Sequence, residues 1–176
     1  MNAPLKLRMD ADAANKIRAH AMAIYPDECC GALFGKDSEG NEPRKILQAL
    51  PLANQRSDAP RNRFSIAPLD VMRAETIATA QGLLVVGWYH SHPDHPARPS
   101  EYDREHALPW YSYVILSVQQ GAPIAITSWR LLEEVTGYLE EIVEFRTELA
   151  PAHDARQTQG LASIKNFDRH TSAAKK

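Results

Sequence analysis

The chain is poor in the residues that would mark several common classes of protein. It has only two cysteines in 176 residues, and they are adjacent, Cys29 and Cys30. Neighbouring cysteines seldom bridge to each other, which argues against a disulfide framework and suits a reducing compartment. No run approaches the roughly 18 apolar residues of a membrane span, and residues 1–8 are not followed by an apolar signal core. Neither sign of charge dominates: the formal net charge is -2, which gives no basis for nucleic acid or a membrane surface as partner. Internal repeats are absent too. These absences predict a cytoplasmic protein. What the chain has is a hydrophobic fraction of 44% and the length of one ordinary domain.

The chemically capable residues concentrate in residues 87–103, GWYHSHPDHPARPSEYD. His90 and His92 follow the apolar run Leu83, Leu84, Val85, Val86, which reads as a buried strand. Side chains alternate along a strand, so the two imidazoles share one face and Ser91 takes the other. Pro93 should end the strand, and Pro96 and Pro99 keep the next segment irregular. Ser100 has the chemistry of a helix N-cap, with Asp103 three residues on. A folded-back loop then brings the Asp103 carboxylate to the imidazoles. Two histidines and a carboxylate are a recurring open zinc set, in which the fourth position holds water that the ion acidifies. With seven histidines in the chain, this spacing arises by accident in about one such chain in a thousand.

His90, His92, Ser100 and Asp103, with Glu28 far upstream in the run Pro26-Asp27-Glu28-Cys29-Cys30-Gly31, resemble the motif of the JAMM (MPN-plus) metalloprotease family. The resemblance extends from about residue 13 to about residue 144. It implies a single-domain α/β fold of the JAMM/MPN (cytidine-deaminase-like) type, with a mixed, mostly antiparallel sheet flanked by helices. It also implies one Zn2+ held by His90, His92 and Asp103. In the family, the residue matching Glu28 accepts a proton from the metal's water and passes it to the leaving amine. The residue matching Ser100 donates a hydrogen bond to the oxyanion. Spacing alone does not single Glu28 out, and Asp27 is its nearest competitor. The short connections resemble compact bacterial members acting on ubiquitin-like sulfur-carrier proteins. The implied function is hydrolysis of a peptide or isopeptide bond at the C-terminal Gly-Gly tail of such a protein. The alternatives are a deubiquitinase-like isopeptidase acting on lysine conjugates and a non-catalytic MPN scaffold or adaptor.

Along the chain, residues 10–24 read as a helix with Ala13, Ile17, Ala21 and Ile24 on one stripe. Residues 28–34 and 45–52 read as antiparallel strands around a polar turn at residues 36–41. Residues 68–81 read as a helix with Leu69, Met72, Ile77 and Ala80 inward and Gly82 behind it as a cap. Residues 101–107 form a short helix, 111–118 and 122–132 a strand pair, and 135–145 a last strand. The catalytic unit is thus residues 1–146, and residues 147–176 form a polar tail. An extended Gly-Gly tail of a substrate suits addition to an open sheet edge.

Several residues have plainer readings. Cys29 and Cys30 sit in an apolar strand start, where packing explains them better than a thiolate site. Ser91 reads as a support residue, and His95 and His106 as bystanders, with an outer contact to the metal site conceivable for His106. Arg56, Arg61 and Arg63 lie in an exposed crossover and are candidates for contact with a substrate carboxylate. A nucleoside deaminase would need H-x-E and P-C-x-x-C, and both are missing.

Overall fold

The computed structural model describes residues 4–131 and 137–146; the expected tail at 147–176 lies outside the described residues. The first element, β1 (Lys6–Asp10), alternates fully buried Leu7 and Met9 with more exposed Lys6, Arg8 and Asp10. So short a period-two segment is too weak a signal to mark a strand in the sequence. Asp10 turns the chain into α1 (Ala11–Ile24). This helix buries Ala13, Ile17 and Ala21 as its stripe predicts, and Ala14 besides, but Ile24 stays 40% exposed. There follow β2 (Cys30–Lys36), β3 (Arg44–Leu52), α2 (Pro68–Ala80), β4 (Leu84–Pro93), α3 (Glu101–His106), β5 (Ser112–Gln119), β6 (Ala122–Leu131) and β7 (Tyr138–Arg146).

The α/β class and the mixed sheet are as expected, but the sheet is not an open layer. Its order, β1-β3-β2-β4-β5-β6-β7, closes into a barrel through parallel pairing of β7 with β1. β1 with β3 and β4 with β5 are also parallel, and the remaining pairs are antiparallel. Closure through β1, the strand missed in the sequence, removes the terminal edges that would otherwise present unpaired backbone. The expected open edge for a substrate strand is therefore absent at the ends of this sheet.

Helices pack on both faces of this sheet. α1 touches β1, β3, β4, β5, β6 and β7, and its small face meets Leu33, Ile46, Val86, Tyr89, Val114 and Leu116. α2 lies across β2 and β4, where Ala74 and Ala78 meet Ala32, Phe34 and Val85. The inward set predicted for α2 is thereby corrected: Leu69, Met72 and Ile77 are 55%, 62% and 40% exposed, and Ala80 is exposed as well. Small side chains let the helix axis approach the sheet closely, which turns the bulky stripe outward. Gly82, at φ +67°, ends α2 as expected.

Arg44 is completely buried at the start of β3, a role its charge conceals in the sequence. Its Nε and Nη2 donate to Asp37 Oδ1 at 2.9 and 2.7 Å, and Nη1 donates to the carbonyls of Val86 and Trp110 and to Ser112 Oγ. The guanidinium thus joins β3, β4 and the approach to β5. Removing its counter-charge leaves a buried cation unpaired, so Asp37→Ala should lower unfolding stability by about 3 kcal/mol in denaturant titration. No helix among the described residues is long and apolar enough to cross a membrane.

Candidate metal centre

Strand alternation places His90 and His92 on the α2 side of the sheet with Trp88, while Tyr89 joins the α1 core. β4 stays paired with β5 as far as Pro93, which is its last residue. Ser91 faces the other way, and its hydroxyl accepts from the Cys29 backbone N–H at 2.9 Å. Ser91 N–H in turn donates to the Cys29 carbonyl at 3.0 Å. The support role expected of Ser91 is thus to tie the residue beside Glu28 to the histidine strand.

The loop from Asp94 to Pro99 is held at successive carbonyls. Ser117 Oγ donates to the His95 carbonyl, His92 Nδ1 lies 2.9 Å from the Pro96 carbonyl, and Thr127 Oγ1 donates to the Ala97 carbonyl. Ser100 then caps α3. Its Oγ accepts from Asp103 N at 3.1 Å and donates to Asp103 Oδ2 at 2.7 Å, and Ser100 N donates to the same oxygen at 2.7 Å. This reciprocal cap fixes the carboxylate that the sequence placed near the imidazoles.

His90, His92 and Asp103 each bring a donor atom within 4.8 Å of the others. The two Nε2 atoms are 3.0 Å apart, and Asp103 Oδ1 and Oδ2 lie 3.4 and 3.5 Å from His90 Nε2 and His92 Nε2. A neutral His92 whose Nδ1–H serves the Pro96 carbonyl must present a lone pair at Nε2. A lone pair, a second imidazole and a carboxylate directed at one point form a donor set for a cation. Burial pushes the Asp103 carboxyl up, but the adjacent His90 and His92 imidazoles and the hydrogen bonds from Ser100 outweigh it and hold the carboxyl well below the usual range. Asp103 is therefore ionised across the working pH range, as a ligand must be. Burial lowers His90, against the opposing pull of Asp103. His92 would also be lowered by burial, but Asp103, the Pro96 carbonyl and Glu28 raise it.

Glu28 is 4% exposed, and its Oε2 has no hydrogen-bond partner among the described residues. Its backbone is braced from the crossover: Glu28 N donates to the Pro60 carbonyl at 2.7 Å, and Asn54 Nδ2 donates to the Glu28 carbonyl at 3.2 Å. Burial pushes its carboxyl up to about 8; His92 opposes the rise and Asp103 adds to it. A buried acceptor left free beside the three donors suits a proton carrier at an open metal position. Cys29 and Cys30 are buried and free, with thiols that burial pushes up to about 11 and about 12, so they pack rather than react.

Two hollows meet at the donor triad. One, of about 390 Å³, is lined by Phe64, Trp88, Tyr102, Leu108, Tyr111 and Tyr113 among others, and reaches His90 and Asp103. Phe64 stacks on the His90 ring with centroids 4.6 Å apart. The other, of about 360 Å³, is lined by Glu28, Asn62, His92, His95, Pro96, Arg98 and Ser100. Aromatic residues scattered over four segments give no local pattern, so the first hollow was invisible in the sequence. The crossover arginines divide: Arg56 pairs with Asp58, and Arg56 and Arg63 lie over the Tyr102 ring at 5.7 and 5.0 Å. His106 stacks on Tyr102 and bonds its carbonyl; it lines the apolar hollow and is not among the converging donors.

The family of prokaryotic homologs of the JAB domain matches residues 10–132. The chain belongs to this family. The JAMM resemblance read from the motif therefore stands. The JAB chain is 35% identical over 128 residues to the desampylase of Haloferax volcanii, covering 70% of this chain and 88% of that protein. It is 32% identical over 125 residues to the CysO-cysteine peptidase of Mycobacterium tuberculosis, covering 70% of this chain and 81% of that one. The solution structure of a Desulfitobacterium hafniense protein superposes on the JAB fold with a TM-score of 0.69 at 29% identity, over 84% of this chain and 97% of that one.

Proposed function

We propose that the chain is a zinc-dependent peptidase that cleaves at the C-terminal Gly-Gly tail of a ubiquitin-like, sulfur-carrier type of protein. The observation that carries the reading is the convergence of His90, His92 and Asp103 beside the buried, unpartnered Glu28 carboxylate. The desampylase and CysO-cysteine peptidase relatives support the substrate class. Residues 1–146 are the catalytic unit in this reading, placed in the cytoplasm, with residues 147–176 outside it.

When bound by the three donors, a zinc ion supplies an acidified water and a Lewis acid for the scissile carbonyl. Glu28 takes the proton of the attacking water and delivers it to the leaving nitrogen, a double duty that suits a carboxyl with a raised pKa. Ser100 is the donor for the oxyanion. Its hydroxyl proton rests on Asp103 Oδ2, so it must rotate away to serve there, and capping and catalysis share one group. Pro96 holds His92 in its ligating tautomer through its carbonyl. Phe64 covers the His90 ring and keeps water from that side.

The test is mass spectrometry of a ubiquitin-like carrier bearing one extra residue after Gly-Gly, incubated with the chain. Release of that residue, its loss after chelation and its return with added zinc are the expected results. Equal cleavage with and without chelator, or none with full zinc, would sink the reading.

A further inference from the structure

The two hollows are not equivalent, and proton transfer decides which side of the substrate each one takes. Glu28 must reach the leaving nitrogen, so the leaving residue belongs in the hollow that Glu28 lines with His92 and Ser100. The acyl side then extends toward the aromatic hollow. Besides the catalytic groups, the leaving side is walled by Asn62, His95 and Arg98. The Arg98 side chain has no carboxylate or carbonyl partner among the described residues, whereas Arg56, Arg104 and Arg130 pair with Asp58, Glu101 and Glu141.

Arg98 is exposed, yet its backbone is fixed. Its N–H donates to the Pro96 carbonyl at 2.8 Å, and the carbonyls of His95 and Ala97 accept from Ser117 Oγ and Thr127 Oγ1, both at 2.6 Å. Ala97 is buried, and Pro99 restrains the residue before it. The Pro96 carbonyl that receives Arg98 N–H also receives His92 Nδ1, so one anchor sets both the ligand and the arginine. A guanidinium on such a mount, beside the site of the leaving nitrogen, is matched to a carboxylate on the leaving residue.

We propose that Arg98 is a specificity residue that pairs with the free α-carboxylate of a single residue following the scissile bond, so that the chain releases one C-terminal residue in preference to a lysine-linked partner. In a C-terminal residue the α-carboxylate sits on the same carbon as the scissile nitrogen. In an isopeptide the reacting nitrogen ends a butyl stem, and the lysine carboxyl is tied up in a chain, leaving Arg98 without a partner. The inference rests on the peptidase reading above and names the leaving-group class for it.

The test compares carriers ending in Gly-Gly-Ala, the same carrier with a C-terminal carboxamide, and a Gly-Gly-lysine isopeptide. The wild type is expected to prefer the carboxylate over the carboxamide by roughly ten- to hundredfold in kcat/KM, the usual range for a hydrogen bond to a charged group. Arg98→Met should bring that ratio close to one, chiefly through KM, and Arg98→Lys should restore part of it. Arg73→Ala, on the exposed side of α2 and lining neither hollow, should retain it. The same ratio is read as binding by calorimetry with Gly-Gly-Ala peptide and its amide on the zinc-loaded Glu28→Gln variant, with and without Arg98→Met. Cleavage with a carboxylate preference that survives Arg98→Met would overturn the inference and leave the peptidase reading standing. Binding preference that depends on Arg98, with no cleavage of any substrate by wild type, would support the carboxylate site and overturn the peptidase reading. Equal binding of acid and amide would overturn the inference directly.

Discussion

Glu28→Gln is expected to lower kcat by about a thousandfold at unchanged metal content, while making the metal-free chain more stable at neutral and alkaline pH. The loss of rate follows from its position: Glu28 lines the hollow with His92 and Ser100, and among the described residues no other carboxylate lines it. The gain in stability follows from burial without a partner. The folded carboxyl is pushed up from 4.5 to about 8, so the folded state holds this proton more tightly than the unfolded chain does. Its contribution is complete below pH about 4.5 and is lost as pH rises through about 8. Glutamine has no such loss. The two proteins should therefore melt alike near pH 4, and the variant should lead by on the order of 3 kcal/mol, several degrees in Tm, near pH 8. Wild type and variant with equal Tm at both pH values would show that Glu28 is not a buried, unpaired carboxyl.

Asp103→Asn should abolish activity and reduce bound zinc to less than a tenth of a molar equivalent after dialysis, with metal analysis as the check. The change is nearly isosteric, so its effect isolates charge. The carboxylate faces both His90 and His92 and also accepts from Ser100 N and Oγ. An asparagine amide can still accept from Ser100 N–H with its oxygen, which preserves much of the α3 cap. It cannot offer an anion to a cation. A variant that keeps one equivalent of zinc would place the metal elsewhere. A variant that loses both metal and α3 would show the cap, rather than the charge, to be decisive.

The converging donor set was legible in the sequence because its geometry is local. Strand alternation put His90 and His92 on one face, and proline spacing with the Ser100 cap returned Asp103 to them. Glu28 was legible only through the family resemblance, because its approach depends on the β2 to β4 pairing and on Ser91 holding Cys29. Where reading failed, long-range pairing or a buried charge was the reason. β1 is a strand because β3 and β7 flank it, not because five residues demand it. β7 buries Glu141 while Ile142 and Phe145 remain about half exposed. The strand expected there is present, but its spacing does not show which face is inside, because Arg130 and Ser128 on β6 donate to Glu141 within the protein. α2 shows the same limit: its apolar stripe is the larger side chains, but the sheet accepts the alanines. Nothing local in the sequence singles out Arg98. Only the carbonyl anchors from β4, β5 and β6 reveal that the backbone leading into it is fixed at the hollow that Glu28 lines.

The most direct measurement is zinc-edge X-ray absorption on the chain loaded with one equivalent of zinc, together with the His92→Ala variant. The account predicts a shell of nitrogen and oxygen ligands at about 2.0–2.1 Å, with imidazole scattering from two histidines in the wild type and weakened in the variant. A sulfur shell near about 2.3 Å would instead place the ion on Cys29 and Cys30. Sulfur ligation, or a failure to retain zinc at all, would contradict the central claim that His90, His92 and Asp103 form the metal centre.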